Sequence, residues 1–521
     1  MNRTIWTVGG AVVALAAVTG VAAVAAPGED AGGGGSVARK SVERTTLACP
    51  RPSDSDLAST AYTAFSPEGA DSRKGTAELR RLATAELDGS GEGAGGEDGK
   101  SGKKSDAGHA TKKQDDKPVL ALTSPGTPTT ASTERSDAPA LAGNAEGRFA
   151  PGWTVQQTTV VDAGAGRGLH GLSCTGPDTS FWFPGVSTAS ERQDYVHLTN
   201  PDDTGAVVDL EPYGKDGRER ATGGEGINIP PRTTVPVLLS ALTSGPVENL
   251  ALHVVARTGR VAAHVQADDE KAGGDWLPSA GDAAPRAVLP GIPGDATSVR
   301  LVVFAPGEED ADLKVRLAGP KNTITPAGYE TLHVRGGMTT AVDLKDLTKG
   351  EAGSLVLSPS GEGGATPVVA AVRVTRGKGA KQETSFIPST PAISQRATAA
   401  DNRASGSPFV SSVSLTALGS DAKVKVTASK GSGGGSARSK TVSVDAGTTK
   451  TFTPPRPEGG SGAYAVTVEH VAGGEVFGSR MLAAKAKKGS VPRFTVQPLP
   501  DDGSTVQVPE SSADLSVLNE D

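Results

Sequence analysis

A repeat of about 106 residues is the feature that most constrains this chain of 521 residues. The motif Phe183-Pro184-Gly185-Val186 recurs as Leu289-Pro290-Gly291-Ile292, and 289 − 183 is 106. Threonine pairs recur with similar spacing, at Thr233/Thr234, Thr339/Thr340 and Thr448/Thr449. Solenoid repeats are shorter, at roughly 20–50 residues, so each unit is long enough to be a domain with its own core.

The pattern within each unit predicts β-structure. Apolar and polar residues alternate over short stretches such as LKVRLAG, and residues typical of turns separate these stretches. Six or seven short strands in one unit are typical of an immunoglobulin-like β-sandwich. We therefore predict an all-β fold of tandem immunoglobulin-like sandwiches. The alternative is a β-propeller in which each repeat supplies two blades.

Composition shifts divide the chain into eight predicted segments. They are a signal anchor or signal peptide (1–26), a linker and N-terminal segment (27–87), a disordered insert (88–144), strands of a small N-terminal module (145–175), sandwich repeats 1 (176–285), 2 (286–395) and 3 (396–500), and a frayed acidic tail (501–521). Residues 75–87 are predicted to form a short helix or the tip of an insert, and residues 396–408 to link repeats 2 and 3.

The N-terminal apolar stretch predicts export. Residues 5–26 carry no charge, Arg3 precedes them, and Glu29 and Asp30 follow. Twenty-two helical residues reach ~33 Å, enough to cross the hydrocarbon core of a bilayer. One interpretation is an uncleaved anchor that leaves the bulk of the chain outside the membrane. The other is a signal peptide cleaved at the Ala23-Val24-Ala25 site, which releases a secreted protein.

The insert predicts disorder because it has nothing to bury. Residues 88–117 contain no Val, Ile, Leu, Met or aromatic residue, and their acids and lysines are intermixed. We expect the disorder to extend to about Asn144. The net charge of −7 gives no basic face for nucleic acid, so no nucleic-acid partner is predicted.

Cys49 and Cys174 are the two cysteines of the chain. They are too far apart in sequence to resemble the close cysteine pairs of a thiolate metal site. They are either two free thiols or one disulfide, and the predicted export favours the disulfide.

No motif predicts a reaction, a metal or a cofactor. The pattern Gly166-x-Gly168-x-x-Gly171 resembles a dinucleotide fingerprint, but the Gly- and Pro-broken sequence after it cannot open the required helix. We assign no catalytic, cofactor-binding or metal-binding residues. Trp182 either packs at the edge of a module or offers a stacking platform to a sugar ring.

Several segments together carry a resemblance to a known family: TTLACP, APGWTVQQTTV, SFWFPGV, LTNPDDTGAVVDLEPYGKDG and LHVVARTGRVAAHV. The chain is similar to an uncharacterised family, a domain of unknown function, of secreted or membrane-anchored proteins from high-G+C Gram-positive bacteria. The resemblance covers about residues 40–500 apart from the insert. It implies export and the repeated architecture, and it carries over no activity.

We therefore predict a non-enzymatic, exported cell-envelope protein, a structural or interaction module displayed outside the membrane as an outward-projecting array. The membrane is a partner through the N-terminal helix, and envelope proteins or polysaccharide are possible further partners. One alternative is a protein that binds cell-wall or surface polysaccharide through Trp182 or loop residues. A further alternative is an envelope enzyme.

Overall fold

A computed structural model of the chain describes residues 38–69, 73–86, 117–361, 365–403, 406–485 and 491–508. Apart from three short 3-10 helices, Gly147–Phe149, Leu239–Ala241 and Gly379–Lys381, the regular elements in these ranges are all strands. None of the helices described is long and apolar enough to span a bilayer. The predicted signal or anchor at residues 1–26 lies outside the described residues.

The first sandwich precedes the three repeats and is called the N-terminal sandwich. In chain order, the strands from residue 38 to the end of this sandwich are β1 (Ala38–Ser41), β2 (Arg44–Cys49), β3 (Ala58–Phe65), β4 (Ala77–Arg81), β5 (Ala83–Thr84), β6 (Leu120–Ala121), β7 (Thr129–Thr133), β8 (Leu141–Glu146), β9 (Thr154–Val161) and β10 (Gly168–Ser173). One sheet has the order β10-β9-β3-β7, and the other has the order β2-β8-β4-β6.

Repeat 1 has the same strand order. Its strands are β11 (Ser180–Val186), β12 (Arg192–Asn200), β13 (Ala206–Gly214), β14 (Gly217–Arg218), β15 (Ile227–Ile229), β16 (Thr233–Leu238), β17 (Leu250–Thr258), β18 (Ala262–Asp269) and β19 (Gly273–Leu277). The sheets are β19-β18-β12-β16, extended by β5 in parallel, and β11-β17-β13-β14, in which β15 also pairs with β13.

Repeat 2 follows the same plan. Its strands are β20 (Ala287–Ile292), β21 (Ala296–Phe304), β22 (Ala311–Ala318), β23 (Thr323–Ile324), β24 (Thr331–Val334), β25 (Thr339–Asp343), β26 (Gly353–Pro359), β27 (Val369–Arg376) and β28 (Glu383–Pro388). The sheets are β25-β21-β27-β28 and β20-β26-β22-β23, in which β24 also pairs with β22.

Repeat 3 joins strands that are separate elsewhere. Its strands are β29 (Arg396–Arg403), β30 (Phe409–Gly431), β31 (Arg438–Val444), β32 (Thr449–Phe452), β33 (Ala463–Ala484) and β34 (Phe494–Pro498). The long strands β30 and β33 pair along their whole length with register shifts, so each serves both layers of the sandwich. Outside the sandwiches, β35 (Thr505–Val508) pairs with β1.

Alternating burial explains why these segments are strands. In β22, Leu313, Val315 and Leu317 are buried, while the residues between them are exposed. Strand geometry places alternate side chains on opposite faces, so this alternation lays one face on a core. Each sandwich has a hydrophobic core between its two layers of strands. The predicted all-β sandwich fold is confirmed, and the propeller alternative is not needed.

The four sandwiches of residues 41–504 close into a ring. The first strands of the three repeats, β11, β20 and β29, pack on the second and penultimate strands of the following sandwich. For β29 the following sandwich is the N-terminal one, because β29 contacts β3 and β9. The last strands, β10, β19, β28 and β34, contact one another in that cyclic order. They therefore surround a common axis.

The sequence repeats coincide with the contacts between sandwiches. Gly185 and Gly291 have positive φ angles of 105° and 83° and lie at register shifts in β11 and β20. A Cβ on Gly291 would lie 2.1 Å from the Ser479 hydroxyl of repeat 3, so the close approach requires glycine. The Pro-Gly motif therefore lies against the next sandwich.

The threonine pairs bind the preceding sandwich. Thr339 donates a hydrogen bond from Oγ1 to the carbonyl of Tyr213 in repeat 1, at 2.8 Å. Thr449 donates to the carbonyl of Ala318 in repeat 2, at 2.7 Å. Both acceptors lie near the end of the third strand of their sandwich, so the same contact joins repeat 1 to 2 and repeat 2 to 3.

Several predictions for the first half of the chain are wrong. Residues 75–86 form β4 and β5 rather than a helix, because Ala77 and Leu79 alternate into the N-terminal core. Disorder does not extend to Asn144, since β6, β7 and β8 occupy that stretch. Residues 87–116 lie outside the described residues. The small N-terminal module is a full fourth sandwich.

Two further predictions need correction. Residues 396–403 are strand β29, not a linker, and Ala397, Ala399 and Ala400 on it are buried. Residues 505–508 of the predicted frayed tail form β35. The sandwiches also do not form an open array, because they pack around the axis of the ring. Their projection outward from a membrane stays a prediction.

The structure joins Cys49 and Cys174 in a disulfide. Both cysteines are buried in the core of the N-terminal sandwich, at the end of its first strand and just after its last strand. The bond therefore fixes the two chain ends of this sandwich to each other.

Replacing both cysteines by serine should lower the free energy of unfolding by about 2–5 kcal/mol, because the unfolded chain regains the entropy of a long open loop. Guanidinium titration under non-reducing conditions measures the change. Wild type with reductant serves as the control and should approach the variant. Equal midpoints for the oxidised wild type and the variant would contradict a stabilising disulfide.

Candidate functional site

One residue from each sandwich meets at the axis of the ring. These residues are Gly171 on β10, Asp275 on β19, Ser385 on β28 and Thr495 on β34, and we call them the axial cluster. The three polar side chains are buried. A Cβ on Gly171 would lie 2.5 Å from the methyl group of Thr495. The absence of a side chain at Gly171 therefore allows the four strands to come together.

Asp275 joins three of the sandwiches directly. Its Oδ1 accepts hydrogen bonds from the backbone N–H of Gly171 at 3.0 Å and of Trp276 at 2.8 Å. Its Oδ2 accepts from the hydroxyl of Ser385 at 2.7 Å. The same hydroxyl accepts from the backbone N–H of Val496 in repeat 3, at 2.9 Å. Full burial raises the pKa of Asp275 well above its usual value, because an ionised carboxylate loses its hydration there.

Two more carboxyl groups, the buried Glu383 and the half-buried Asp268, lie against the turn that leads into β10 of the N-terminal sandwich. Glu383 accepts a hydrogen bond from the backbone N–H of Leu169 at 2.8 Å, and burial raises its pKa to about 7. Burial, together with the nearby Asp194, raises the pKa of Asp268 to about 7. The turn therefore lies between Asp268 of repeat 1 and Glu383 of repeat 2.

The glycine pattern of residues 166–171 is explained by this contact. A Cβ on Gly166 would lie 2.8 Å from the Asp268 carboxylate, and a Cβ on Gly168 would lie 2.7 Å from the carbonyl of Gly274. Gly171 lies in β10 rather than at the start of a helix. The pattern serves close packing of the N-terminal sandwich on its neighbours, and the structure gives it none of the context of a dinucleotide site.

A second polar network closes the ring between repeat 3 and the N-terminal sandwich. Gln156 on β9 accepts hydrogen bonds at Oε1 from the backbone N–H of Asp401, at 2.8 Å, and from Arg480, at 2.9 Å. Thr158 donates to the Asp401 carboxylate at 2.7 Å. Arg480 is fully buried, and this burial lowers its pKa to about 10. Buried polar groups of this kind favour one docking register, because a shift would leave them unpaired.

Buried histidines lie where the N-terminal sandwich meets repeat 1. His197 and His264 are directly opposed on β12 and β18, and both rings pack against Trp276. Burial lowers the pKa of His197 to about 4 and that of His264 to about 3, so both are neutral at pH 7. Within the described ranges, no three His, Cys, Asp or Glu residues are grouped in a way that could hold a metal ion.

Trp182 belongs to an aromatic cluster at the contact of repeats 1 and 2. The ring of His253 stacks on its indole at 3.8 Å with an angle of 1°, and Phe304 of repeat 2 lies at 5.1 Å. Tyr213 packs against both Trp182 and Phe304. One face of the indole is therefore already covered, which matches the packing interpretation of this residue better than a sugar platform.

A groove with a volume of about 580 Å³ lies beside the chain segments that link the repeats. Its walls include residues 281–288 before and within β20 and residues 389–392 after β28. Phe477 of repeat 3 lines one side, with the Arg286 guanidinium 6.0 Å from the centre of its ring. An ion pair between Arg286 and Glu475 spans the groove wall. None of its groups has the arrangement of a catalytic acid and base.

The sequence-based reasoning missed the polar residues that join the sandwiches. Asp275 and Glu383 each lie in a strand whose residues are all buried. A carboxylate in the apolar closing strand of a repeat was a signal that could have been used, because such a group needs buried partners. Gln156 and Arg480, in contrast, are paired only through the ring closure, which the sequence does not show.

Substituting Asp275 should change how stability depends on pH. In the unfolded chain its pKa is about 3.9, whereas in the fold it is raised. As the pH rises above about 4, the unfolded carboxyl loses its proton first, so this residue's contribution to the free energy of unfolding falls by up to about 1.4 kcal/mol per pH unit until the folded pKa is reached. Asp275→Asn removes this dependence and keeps an acceptor for the two N–H groups.

The measurement is denaturant unfolding of wild type and Asp275→Asn at pH 5 and pH 8. We expect the stability of the variant relative to wild type to be higher at pH 8 than at pH 5. The control Asp275→Ala should lose about 2 kcal/mol at pH 5, because buried N–H groups lose their acceptor. Parallel pH profiles for wild type and Asp275→Asn would show that the folded carboxyl titrates normally.

Comparison with known proteins places the chain in a family. No curated protein matches it. Residues 129–455 match the sequence model of DUF5719, described as a family of unknown function. The matched range runs from β7 of the N-terminal sandwich to just beyond β32 of repeat 3. Since it covers more than half of the 521 residues, the chain belongs to this family of unknown function.

Proposed function

We propose that the protein is exported and serves as a structural or interaction module of the cell envelope. The observation that carries the proposal is the disulfide between Cys49 and Cys174 in the core of the N-terminal sandwich. Such bonds persist in oxidising compartments outside the cytoplasm and are rare inside it. The uncharged segment at residues 5–26 supports the same location.

The ring supports the role of a rigid module. Each sandwich contacts two neighbours, and the axial cluster and the Gln156 network fix their arrangement. A rigid body of this kind presents loops and outer strands in fixed positions, which lowers the entropy lost when a partner binds. The partners of this proposal are the membrane, through residues 5–26, and envelope proteins or polysaccharide.

Trp182 gives little support to the polysaccharide alternative, because His253 covers one face of its indole. The proposal also assigns no reaction to the axial cluster, since its titratable group is hydrogen-bonded within the ring and shielded from solvent. We therefore propose that the ring contacts and the groove have a non-enzymatic role.

Fractionation of the organism that encodes the protein tests the export. We expect the protein in the membrane fraction if residues 5–26 are retained, or in the culture supernatant if they are cleaved. In both cases non-reduced peptide mapping should link Cys49 to Cys174. The double substitution Val13→Arg/Leu15→Arg should trap the protein inside the cell, because arginine at the centre of the segment disfavours insertion.

The control substitution Leu15→Ile keeps the segment apolar and should leave export unchanged. Wild-type protein in the cytoplasm with both thiols open to alkylation would overturn the proposal. The protein could also be exported and yet bind no envelope protein or polymer in a pull-down from intact cells. That result would limit the proposal to a structural role.

A further inference from the structure

Three polar side chains form a hydrogen-bonded chain on the outer face of one sheet of repeat 1. Ser180, His253 and Glu211 lie on the adjacent strands β11, β17 and β13. The Ser180 hydroxyl lies 2.9 Å from Nε2 of His253. The other ring nitrogen, Nδ1, lies 3.3 Å from the Glu211 carboxylate. A nucleophile, a base and a carboxylate that orients the base are connected in this order in acyl-transfer enzymes.

The surroundings hold the imidazole in this orientation. The Trp182 indole stacks on its ring at 3.8 Å, with the two planes 1° apart. The Glu211 carboxylate is held in turn by the hydroxyl of Tyr213 at 3.0 Å and by the guanidinium of Arg218 at 3.1 Å. A base whose ring and partner are both fixed loses little entropy on reaching the geometry of proton transfer.

The protonation state of His253 suits a base. Partial burial lowers its pKa below the usual 6.5, although Glu211 acts in the opposite direction. The ring is therefore neutral at pH 7, so Nε2 can accept a proton from the serine hydroxyl. Ser180 is exposed, whereas the side chains of His253 and Glu211 are only 18% and 20% exposed. A substrate can thus reach the hydroxyl while its two supporting groups stay partly shielded.

We infer that Ser180 is a nucleophile that accepts the acyl group of a carboxylic ester, with His253 as its general base and Glu211 as a positioning residue. In the first step Oγ bonds to the ester carbonyl carbon and its proton moves to His253. The bond from that carbon to the alcohol oxygen breaks, and the alcohol leaves with the proton. Water then attacks the acyl-serine, His253 takes the proton of the water and returns it to Oγ, and a carboxylic acid is released.

The setting of Ser180 determines the kind of ester expected. The residue lies within a strand, not on the tight turn that frees backbone N–H groups for the oxyanion in many hydrolases. Arg257 lies on the same face of β17, two residues beyond Val255, the strand partner of Ser180. Its guanidinium is paired with the carboxylates of Asp209 and Glu225, so it is not free to stabilise the developing negative charge. Activated esters, which need less stabilisation of this charge, should therefore react first.

This inference goes beyond the proposed envelope module and departs from the prediction that the protein is not an enzyme. It concerns a surface of the purified protein, so it does not depend on export. Failure of the labelling experiment would leave the localisation result intact, and failure of export would leave the labelling result intact.

The experiment uses the full-length protein, a fluorophosphonate probe and p-nitrophenyl acetate. The probe mimics the acyl group and stays bonded to an activated serine. We expect one adduct, assigned to Ser180 by peptide mass spectrometry, and its loss in Ser180→Ala. Ser439→Ala removes another exposed strand serine and should label like wild type. No adduct on Ser180, or equal labelling of several serines, would overturn the inference.

The pH profile tests the roles of the two supporting residues. Labelling should rise with pH to a midpoint below 6.5, following the neutral form of His253, and His253→Gln should slow it at least about 100-fold. Glu211→Gln should move the midpoint to lower pH, since Glu211 raises the pKa of His253. A rate that is unchanged in His253→Gln, or a profile that Glu211→Gln leaves in place, would show that the chain is only structural.

Discussion

The meeting of four edge strands at one axis is the constraint on which the rest of this structure depends. Each sandwich contributes its last strand, and the strands approach closely because Gly171 has no side chain where Thr495 lies. The single carboxyl at this point, Asp275, bonds to groups from two neighbouring sandwiches. Since a buried carboxyl is costly without partners, these bonds favour this arrangement of the four strands over one that would bury Asp275 with its partners out of reach.

Much of the fold could be predicted from the sequence, because each repeat shows the alternation of apolar and polar residues that strands require. Alternating residues such as Leu313, Val315 and Leu317 identify strands, and their number per unit identifies a sandwich. The Pro-Gly motif and the threonine pairs also recur because they form the contacts between sandwiches. A threonine pair at Thr129 and Thr130 opens β7 and marks the fourth copy.

The rest could not be predicted, for physical reasons. The stretch between β5 and β6 separates the strands of the N-terminal sandwich, so its period is lost in the sequence. Ring closure brings together Gln156 and Arg480, which are 324 residues apart, and no local pattern encodes such a contact. The chain of Ser180, His253 and Glu211 arises from strand register, which spacing alone does not fix.

The closed ring has a consequence for how such a chain can change in evolution. In an open array each added copy finds a free end, so copy number can drift. Here the first strand of repeat 3 already packs on the N-terminal sandwich, and the last strands already surround the axis. A fifth copy would have to widen the axis and separate Asp275 from its partners. The geometry of one small polar cluster thus sets the number of sandwiches in the ring.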